Sequence, residues 1–437
     1  MRIDPRIDIY DLVTAISNAM DLVNKELVNH HARVAYIASR MIQAEYGSRK
    51  EESDIILAAM LHDIGAFSSE ERFEFLKLDP DHPHRHAEIG YQLLRDFGLF
   101  SDPAWIIRFH HVKWSDGRGA RFYGRDVPMA SHMLHLADRL DILLVASANP
   151  LQERESILET IEAEAPRMFH PRLVGVLRKA ARREQFWLDL TSPNLPAFFR
   201  GQVKNFEVDL TADIIASFAH LLSQLVDFRS RFTATHSSGV SVVAEYIGRM
   251  MGFSERECQK LMIAGFLHDI GKLAISNTIL EKPGKLTVEE FEDVKAHAYH
   301  TARILRPIRH IDDIIEWCGF HHERLNGRGY PFQEVGANIP LAAKILMVAD
   351  VFTALTEDRP YRGGLEKRVV IKIMTEMVDK GELDKRVLVV LFEEYDDINY
   401  YRRNMQKFAS ETYHDFLTKV NKFDALAEQE EQALRAD

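Results

Sequence analysis

The stretch that decides the reading runs from His268 to Pro331: HDIGK at 268–272, a further histidine at 297, and HHERLNGRGYP at 321–331. Before it lies CQKLMIAGFL (258–267), an almost unbroken apolar run with helical spacing, which predicts a buried helix. A His–Asp pair at the end of such a helix is costly to bury unless the two are paired or bound to something. Gly271 offers the left-handed turn that stops a helix there. A His–His pair follows at 321–322, and Asp350 closes another apolar run, KILMVAD. Imidazoles and carboxylates arriving from several apolar helices describe a metal site of the borderline type, suited to Fe, Mn or Zn.

Working outward, the same text is written twice. IILAAMLHDIG (55–65) repeats as LMIAGFLHDIG (261–271). His30 lies 32 residues before His62, and His236 lies 32 before His268. From His86 to His110 is 24 residues, as from His297 to His321, while His111 to Asp138 is 27 against 28 for His322 to Asp350. An offset of 206 drifting to 212 reads as a duplication with small loop changes. Leu12, Ala15, Ile16 and Met20 fall at helical spacing before the first set, and Phe218, Leu221, Leu222 and Val226 do so before the second. FHPRLVGVL (169–177) is echoed by LDKRVLVVL (383–391). The fold class is therefore all-α, two helical domains in tandem. The expected bounds are 1–195 and 205–410, joined by TSPNLPAFFRGQ (191–202), which is too apolar for a free linker. Residues 411–437, ending ALAEQEEQALRAD, read as a charged, solvated helical tail.

At 437 residues the chain exceeds one ordinary core, and 46% hydrophobic with 28% charged residues is a soluble globular composition. A net charge of −11 argues against a nucleic-acid polymer as partner but not against a small anion held by a few cations. Two cysteines, Cys258 and Cys318, within helical patterns point to a reducing compartment rather than a disulfide framework. MRIDPRIDIYD has no apolar signal core and no run of about 18 apolar residues occurs, so a cytoplasmic protein without a membrane partner is expected.

HDIGK, HHERLNGRGYP and DVFTALTEDRPYR (350–362) resemble the HD-GYP family of HD-superfamily phosphohydrolases, over about residues 210–410. The resemblance implies that His236, His268, Asp269, His297, His321, His322 and Asp350 hold two divalent metals, Fe or Mn, with Asp269 as the bridge. It implies a cyclic dinucleotide phosphodiesterase, the ring opened by hydroxide held between the metals, on cyclic di-GMP or 3′,3′-cyclic GMP-AMP. Lys272, one turn after Asp269, is placed to aim an ammonium at the phosphate; Tyr330, Arg359 and Arg362 are the other implied substrate contacts. The GYP loop is implied as a docking place for a signalling partner, and a homo-oligomer is left open. The family's third-metal glutamate is replaced by Phe232, hence two metals. In the first half, His30, His62, Asp63, His86, His110, His111 and Asp138 keep the ligand positions, with Glu26 available for a third metal. That half has Ala66 in place of Lys272 and neither GYP nor RPYR, so it reads as a 5′-phosphatase on the linear product or as a regulatory domain. A general nucleotide phosphohydrolase and a cyclic dinucleotide receptor are the alternatives for the whole chain. His31, His82 and His84 read as surface or loop histidines.

Overall fold

The computed structural model describes residues 6–23, 28–46, 51–66, 77–78, 83–199, 207–209, 211–228, 235–282, 284–358 and 363–436. Beyond short helical turns, the first half forms α1 (Ile9–Val23), α2 (His30–Tyr46), α3 (Glu51–Leu61), α4 (His84–Leu94), α5 (Ser101–Arg108), α6 (Met129–Ala146), α7 (Pro150–Ala163), α8 (Pro171–Ala180) and α9 (Glu184–Leu190). The second forms α10 (Ala212–Asp227), α11 (His236–Met250), α12 (Glu255–Leu267), α13 (Val288–Leu305), α14 (Asp312–Gly319), α15 (Leu341–Thr356), α16 (Lys367–Asp379), α17 (Lys385–Glu393) and the 42-residue α18 (Tyr395–Ala436). Among the described residues, strand is confined to two-stranded pairs of two or three residues each. The all-α expectation holds, and α1–α6 correspond in order to α10–α15.

Local sequence sets the helix starts that matter. Ser254 with Glu257 and Thr287 with Glu290 form reciprocal capping boxes at the starts of α12 and α13, the helices that deliver His268 and His297. Their apolar faces do the rest: α11 packs on α12 and α15, and α2 packs on α3, α6 and α8. Burial of this kind, rather than helix propensity, holds short helices in place.

Glycine in the HDIG motif works differently from the expected helix stop. Neither Gly65 nor Gly271 adopts a left-handed backbone. A side chain on Gly65 would meet the His86 carbonyl oxygen at 2.1 Å, and one on Gly271 would meet that of His297 at 2.0 Å. Glycine is needed at both places so that the two ligand-bearing segments can touch.

The chain divides into two compact units: Met1–Ile7 with Val208–Asp415, and Asp8–Glu207 with Phe416–Asp437. The solvated tail is thus corrected. Phe416, Val420, Phe423 and Ala427 are buried at helical spacing, and Phe423 and Ala427 join Phe109, Val112, Phe122 and Val127 in one apolar cluster of the first-half unit. Arg108 lies over the Phe423 ring at 4.7 Å and Tyr123 stacks on it at 5.6 Å. Charge on the exposed face hides that stripe in the sequence.

Candidate metal centres

In the second unit, α11 places His236, the end of α12 His268 and Asp269, α13 His297, the turn after α14 His321 and His322, and α15 Asp350. Asp269 stands between two groups of imidazoles. Its Oδ2 lies 3.1 Å from His268 Nε2 and 3.9 Å from His236 Nε2, and its Oδ1 lies 3.4 Å from His297 Nε2 and 3.9 Å from His321 Nε2. His236 Nε2 also sits 3.2 Å from Asp350 Oδ1. Candidate ligand atoms of His236, His268 and Asp350, and of His297, His321 and His322, converge within 4.8 Å in each group.

The imidazoles are oriented from behind. His268 Nδ1 donates to Gly265 O, His297 Nδ1 to Val294 O and His321 Nδ1 to Cys318 O, each three residues back, at 2.8, 2.5 and 2.6 Å. A proton held on Nδ1 leaves the Nε2 lone pair facing inward, the arrangement found around bound metals. Burial, reinforced by the neighbouring imidazoles, pulls His321 down to about 3, and burial with Lys272 pulls His297 to about 4. Burial works against ionisation of Asp269, but His268 and Lys272 outweigh it and hold the carboxyl well below its usual range. Neutral imidazoles at His297 and His321 and an ionised Asp269 are the protonation states that metal ligation requires, whereas at His236 burial is outweighed by the Glu357 and Asp350 carboxylates, which push the imidazole up to about 10. His268 Nε2 and Asp269 Oδ1 are buried without a hydrogen-bond partner. The residues fit divalent metals.

The first unit builds the same arrangement. His30 Nε2 lies 3.6 Å from Asp63 Oδ2, while Asp63 Oδ1 lies 3.4 Å from His62 Nε2 and 3.5 Å from His86 Nε2. His62 and His110 donate Nδ1 to Ala59 O and Ile107 O, again three residues back. Asp138 Oδ1 is 3.5 Å from His30 Nε2. His86, His110 and His111 form one group and His30, His62 and Asp63 another. All seven expected ligands come together in each unit.

Other expectations meet mixed outcomes. Lys272 donates to Asp269 Oδ2 at 2.6 Å, so its ammonium pairs with the carboxylate that it follows. Tyr330 packs on the His322 ring, centroids 4.8 Å apart. Gly329 carries no side chain because one would meet Glu323 Cα at 2.3 Å. The buried Glu323 carboxylate accepts from the backbone N–H groups of Phe332, Gln333 and Glu334 and so fixes the loop after GYP. Glu26, Phe232, Arg359, Arg362 and His82 lie outside the described residues. His31 and His84 are buried, not superficial: His31 packs beside His30 and His62, and His84 stacks on Phe122 and reaches Glu431 at 3.0 Å.

Four residues escape the sequence reading. Asp141 accepts from His30 Nδ1 at 2.7 Å and takes both Nε and Nη2 of Arg33. Glu357 accepts from His236 Nδ1 at 3.0 Å. Arg139, wholly buried, binds Asp138 Oδ2 at 2.6 Å. Asp141 and Glu357 lie three and seven residues after Asp138 and Asp350, one face of a helix, which is the one signal the sequence carries for them.

Two such clusters on tandem helical units define the class of HD-domain phosphohydrolases, which bind divalent metals. Residues 27–143 match the family described as HD domain, and residues 220–387 match a second family of the same description. The chain is 30% identical over 405 residues to the 3′3′-cGAMP-specific phosphodiesterase 1 of Vibrio cholerae, covering 91% of this chain and 93% of that one. A cyclic di-GMP phosphodiesterase of Pseudomonas aeruginosa is 36% identical over 185 residues, 41% of this chain and 44% of its own. A crystal structure of a cyclic GMP-AMP specific phosphodiesterase of V. cholerae shares the fold at a TM-score of 0.62 and 22% identity, covering 90% of this chain and 98% of that one. The chain belongs to the HD-GYP family of metal-dependent phosphodiesterases. Among the described residues no helix is long and apolar enough to cross a membrane.

Proposed function

We propose that the second unit hydrolyses a phosphodiester bond of a cyclic dinucleotide and that the first unit removes the terminal phosphate of the linear product. The observation that carries the first step is Asp269, whose two oxygens face separate imidazole groups beside a glycine-shaped loop. The seven candidate ligands of the second unit suit two divalent metals, Fe or Mn; the first unit has the same seven, and a third metal there would call on Glu26. Bound metals supply Lewis-acid charge to phosphoryl oxygens and lower the pKa of water.

The chain's own residues do the positioning. Backbone carbonyls keep the protons of His268, His297 and His321 on Nδ1. His322 and Asp350 are the most exposed members of the cluster, at 22% and 13%, so the scissile phosphate enters on their side. Tyr330 borders that side, and Lys272 sets an ammonium against the central carboxylate Asp269. Hydrolysis breaks one P–O3′ bond and leaves a linear dinucleotide with a 5′-phosphate. The name of the relative that spans nearly the whole chain favours 3′,3′-cyclic GMP-AMP over cyclic di-GMP. Phe332 and Val335, 45% and 49% exposed beside the GYP segment, support that loop as a protein-docking surface.

For the first unit, all seven ligands are present, but Ala66 is buried where the second unit has Lys272. A site so equipped suits a terminal phosphate better than a ring. The test is the product profile of Asp63→Ala: it is expected to open the ring and accumulate the 5′-phosphorylated linear dinucleotide. A profile and phosphate release identical to the unaltered protein would assign the first unit a regulatory role instead.

A further inference from the structure

Behind the second metal cluster runs a relay of side chains that reaches the long C-terminal helix. Asn399 Oδ1 accepts from Arg402 Nε and Nη2 at 3.1 and 2.8 Å. Arg402, 3% exposed, donates Nη1 to Gln406 Oε1 and Nη2 to the Thr356 carbonyl at the end of α15. With its oxygen taken, Gln406 can only turn its amide N–H groups the other way. Gln406 Nε2 donates to Glu357 Oε2 at 3.2 Å and to the carbonyl of Thr235, the residue before His236, at 3.3 Å. Glu357 in turn accepts from His236 Nδ1. Packing is close as well: a side chain on Gly239 of α11 would meet Gln406 Nε2 at 2.8 Å.

We infer that Glu357, Gln406 and Arg402 are positioning residues for His236, and that this stretch of α18, beyond the matched HD segment, is part of the second metal centre. The reasoning rests on the reading of that cluster as a metal site. A ligating imidazole needs its second nitrogen anchored, and the anchor needs its own partner, or ring orientation and basicity are lost. The other ring anchors here are carbonyls within the same helix or turn. His236 begins its helix and has no carbonyl one turn back within α11, so a carboxylate from another helix serves. Gln406 then holds that carboxylate and the start of α11 together, while Arg402 holds Thr356 at the end of α15, six residues after Asp350. The relay therefore fixes His236 relative to Asp350. The first unit meets the same need in another way: His30 also begins its helix, but its anchor Asp141 is gripped by Arg33 from the same helix.

The test uses the full chain carrying Asp63→Ala and His62→Ala, so that only the second centre binds metal tightly. Mn(II) affinity is measured by competition with a chelator in Glu357→Gln, Gln406→Glu and Gln406→Lys, with the melting temperature of each metal-free protein alongside. Glu357→Gln is nearly isosteric, and it is expected to weaken Mn(II) binding about 10- to 100-fold. Gln406→Glu sets a carboxylate against Glu357 and is expected to weaken binding similarly, whereas Gln406→Lys keeps a donor for Glu357 while losing the acceptor for Arg402, and its affinity is expected to fall between those of the parent and Gln406→Glu. Mn(II) affinities of Glu357→Gln and Gln406→Glu equal to the parent would overturn the inference. So would losses that track the melting temperature alone, with Gln406→Lys as weak as Gln406→Glu. Absence of Mn(II) binding in the parent itself would instead remove the metal reading on which the inference stands.

Discussion

Both units set seven ligands into matching helices, yet they surround them with different charges. In the second, Lys272 lies against the central carboxylate Asp269, and the residue after Asp350 is the apolar Val351. In the first, Ala66 fills the lysine's place, and a buried arginine, Arg139, follows Asp138 and binds it. The first centre thus has its cation fixed on an outer carboxylate and wholly buried. The second has Lys272, 21% exposed and paired with the central carboxylate. Metal geometry survives duplication because it is written in helix spacing. The side chains around it differ between the two units.

The sharpest way to break this comparison is to remove each central carboxylate in turn. Asp269→Ala is expected to lower ring opening by at least about 1000-fold, some 4 kcal/mol of barrier, while still releasing phosphate from added linear dinucleotide. Asp63→Ala should give the reverse. Product chromatography on both variants, with Mn(II) supplied under reducing conditions, decides it; ring opening that survives in Asp269→Ala refutes the division of labour.

A second expectation concerns stability. Phe423 is buried among Phe109, Phe122 and Tyr123, so Phe423→Ala should cost the first unit about 3 kcal/mol through lost burial and the cavity left behind. Denaturant unfolding followed separately by Trp105 and Trp317 fluorescence, each tryptophan kept alone, should show the change at Trp105 and little at Trp317. Equal shifts at both probes would mean that the tail does not belong to the first unit energetically.

Lys272→Ala should reduce ring opening about 10- to 100-fold with metal content unchanged, less than the factor of about 100 to 1000 that a lost oxyanion donor costs, because the ammonium is partly open to solvent. Elemental analysis beside the rate separates this from a metal-binding role. A matching loss of metal would show that the lysine serves Asp269 rather than the phosphate.

How much of this was legible in the sequence depends on distance along the chain. The seven candidate ligands that the structure gathers in each unit are legible because HDIG, the His–His pairs and the closing aspartates sit at the ends of apolar helices whose period is visible locally. The close approach of Gly271 to His297 was not legible, since it depends on how two helices meet. His236 and Glu357 are 121 residues apart and Gln406 and Thr235 171 apart, so nothing local ties them. The tail reads as solvated because Phe416, Val420, Phe423 and Ala427 are diluted by charge on the other face, and mean polarity hides the stripe. His31 and His84 are hidden for a different reason: their burial comes from packing on His62 and Phe122, far away in the chain.

The smallest expected effect concerns a buried histidine that only the first unit has. His132 is 3% exposed, with no hydrogen-bond partner at Nε2. Burial, helped by the nearby His170, lowers it to about 4, against weak support from the Gly119 and Val112 backbone. Trp114 packs between the two imidazoles, its ring 5.3 Å from His132 and 4.1 Å from His170. The corresponding residue of the second unit is Lys344, beside Asp384 at 3.9 Å. Because the folded value lies below the ordinary value of 6.5, the unfolded chain takes up the proton first as pH falls. Stability from His132 is therefore complete above pH 6.5 and is lost as pH drops toward 4. His132→Leu removes the titration, and between pH 7 and pH 4 the variant is expected to lose about 2 kcal/mol less than the unaltered protein. Urea unfolding of the metal-free chain at both pH values measures the difference, and comparing each protein with itself cancels the cost of the substitution. Parallel losses in the two proteins would show that His132 stays unprotonated in neither state, or in both, and that the acid sensitivity of the first unit arises elsewhere.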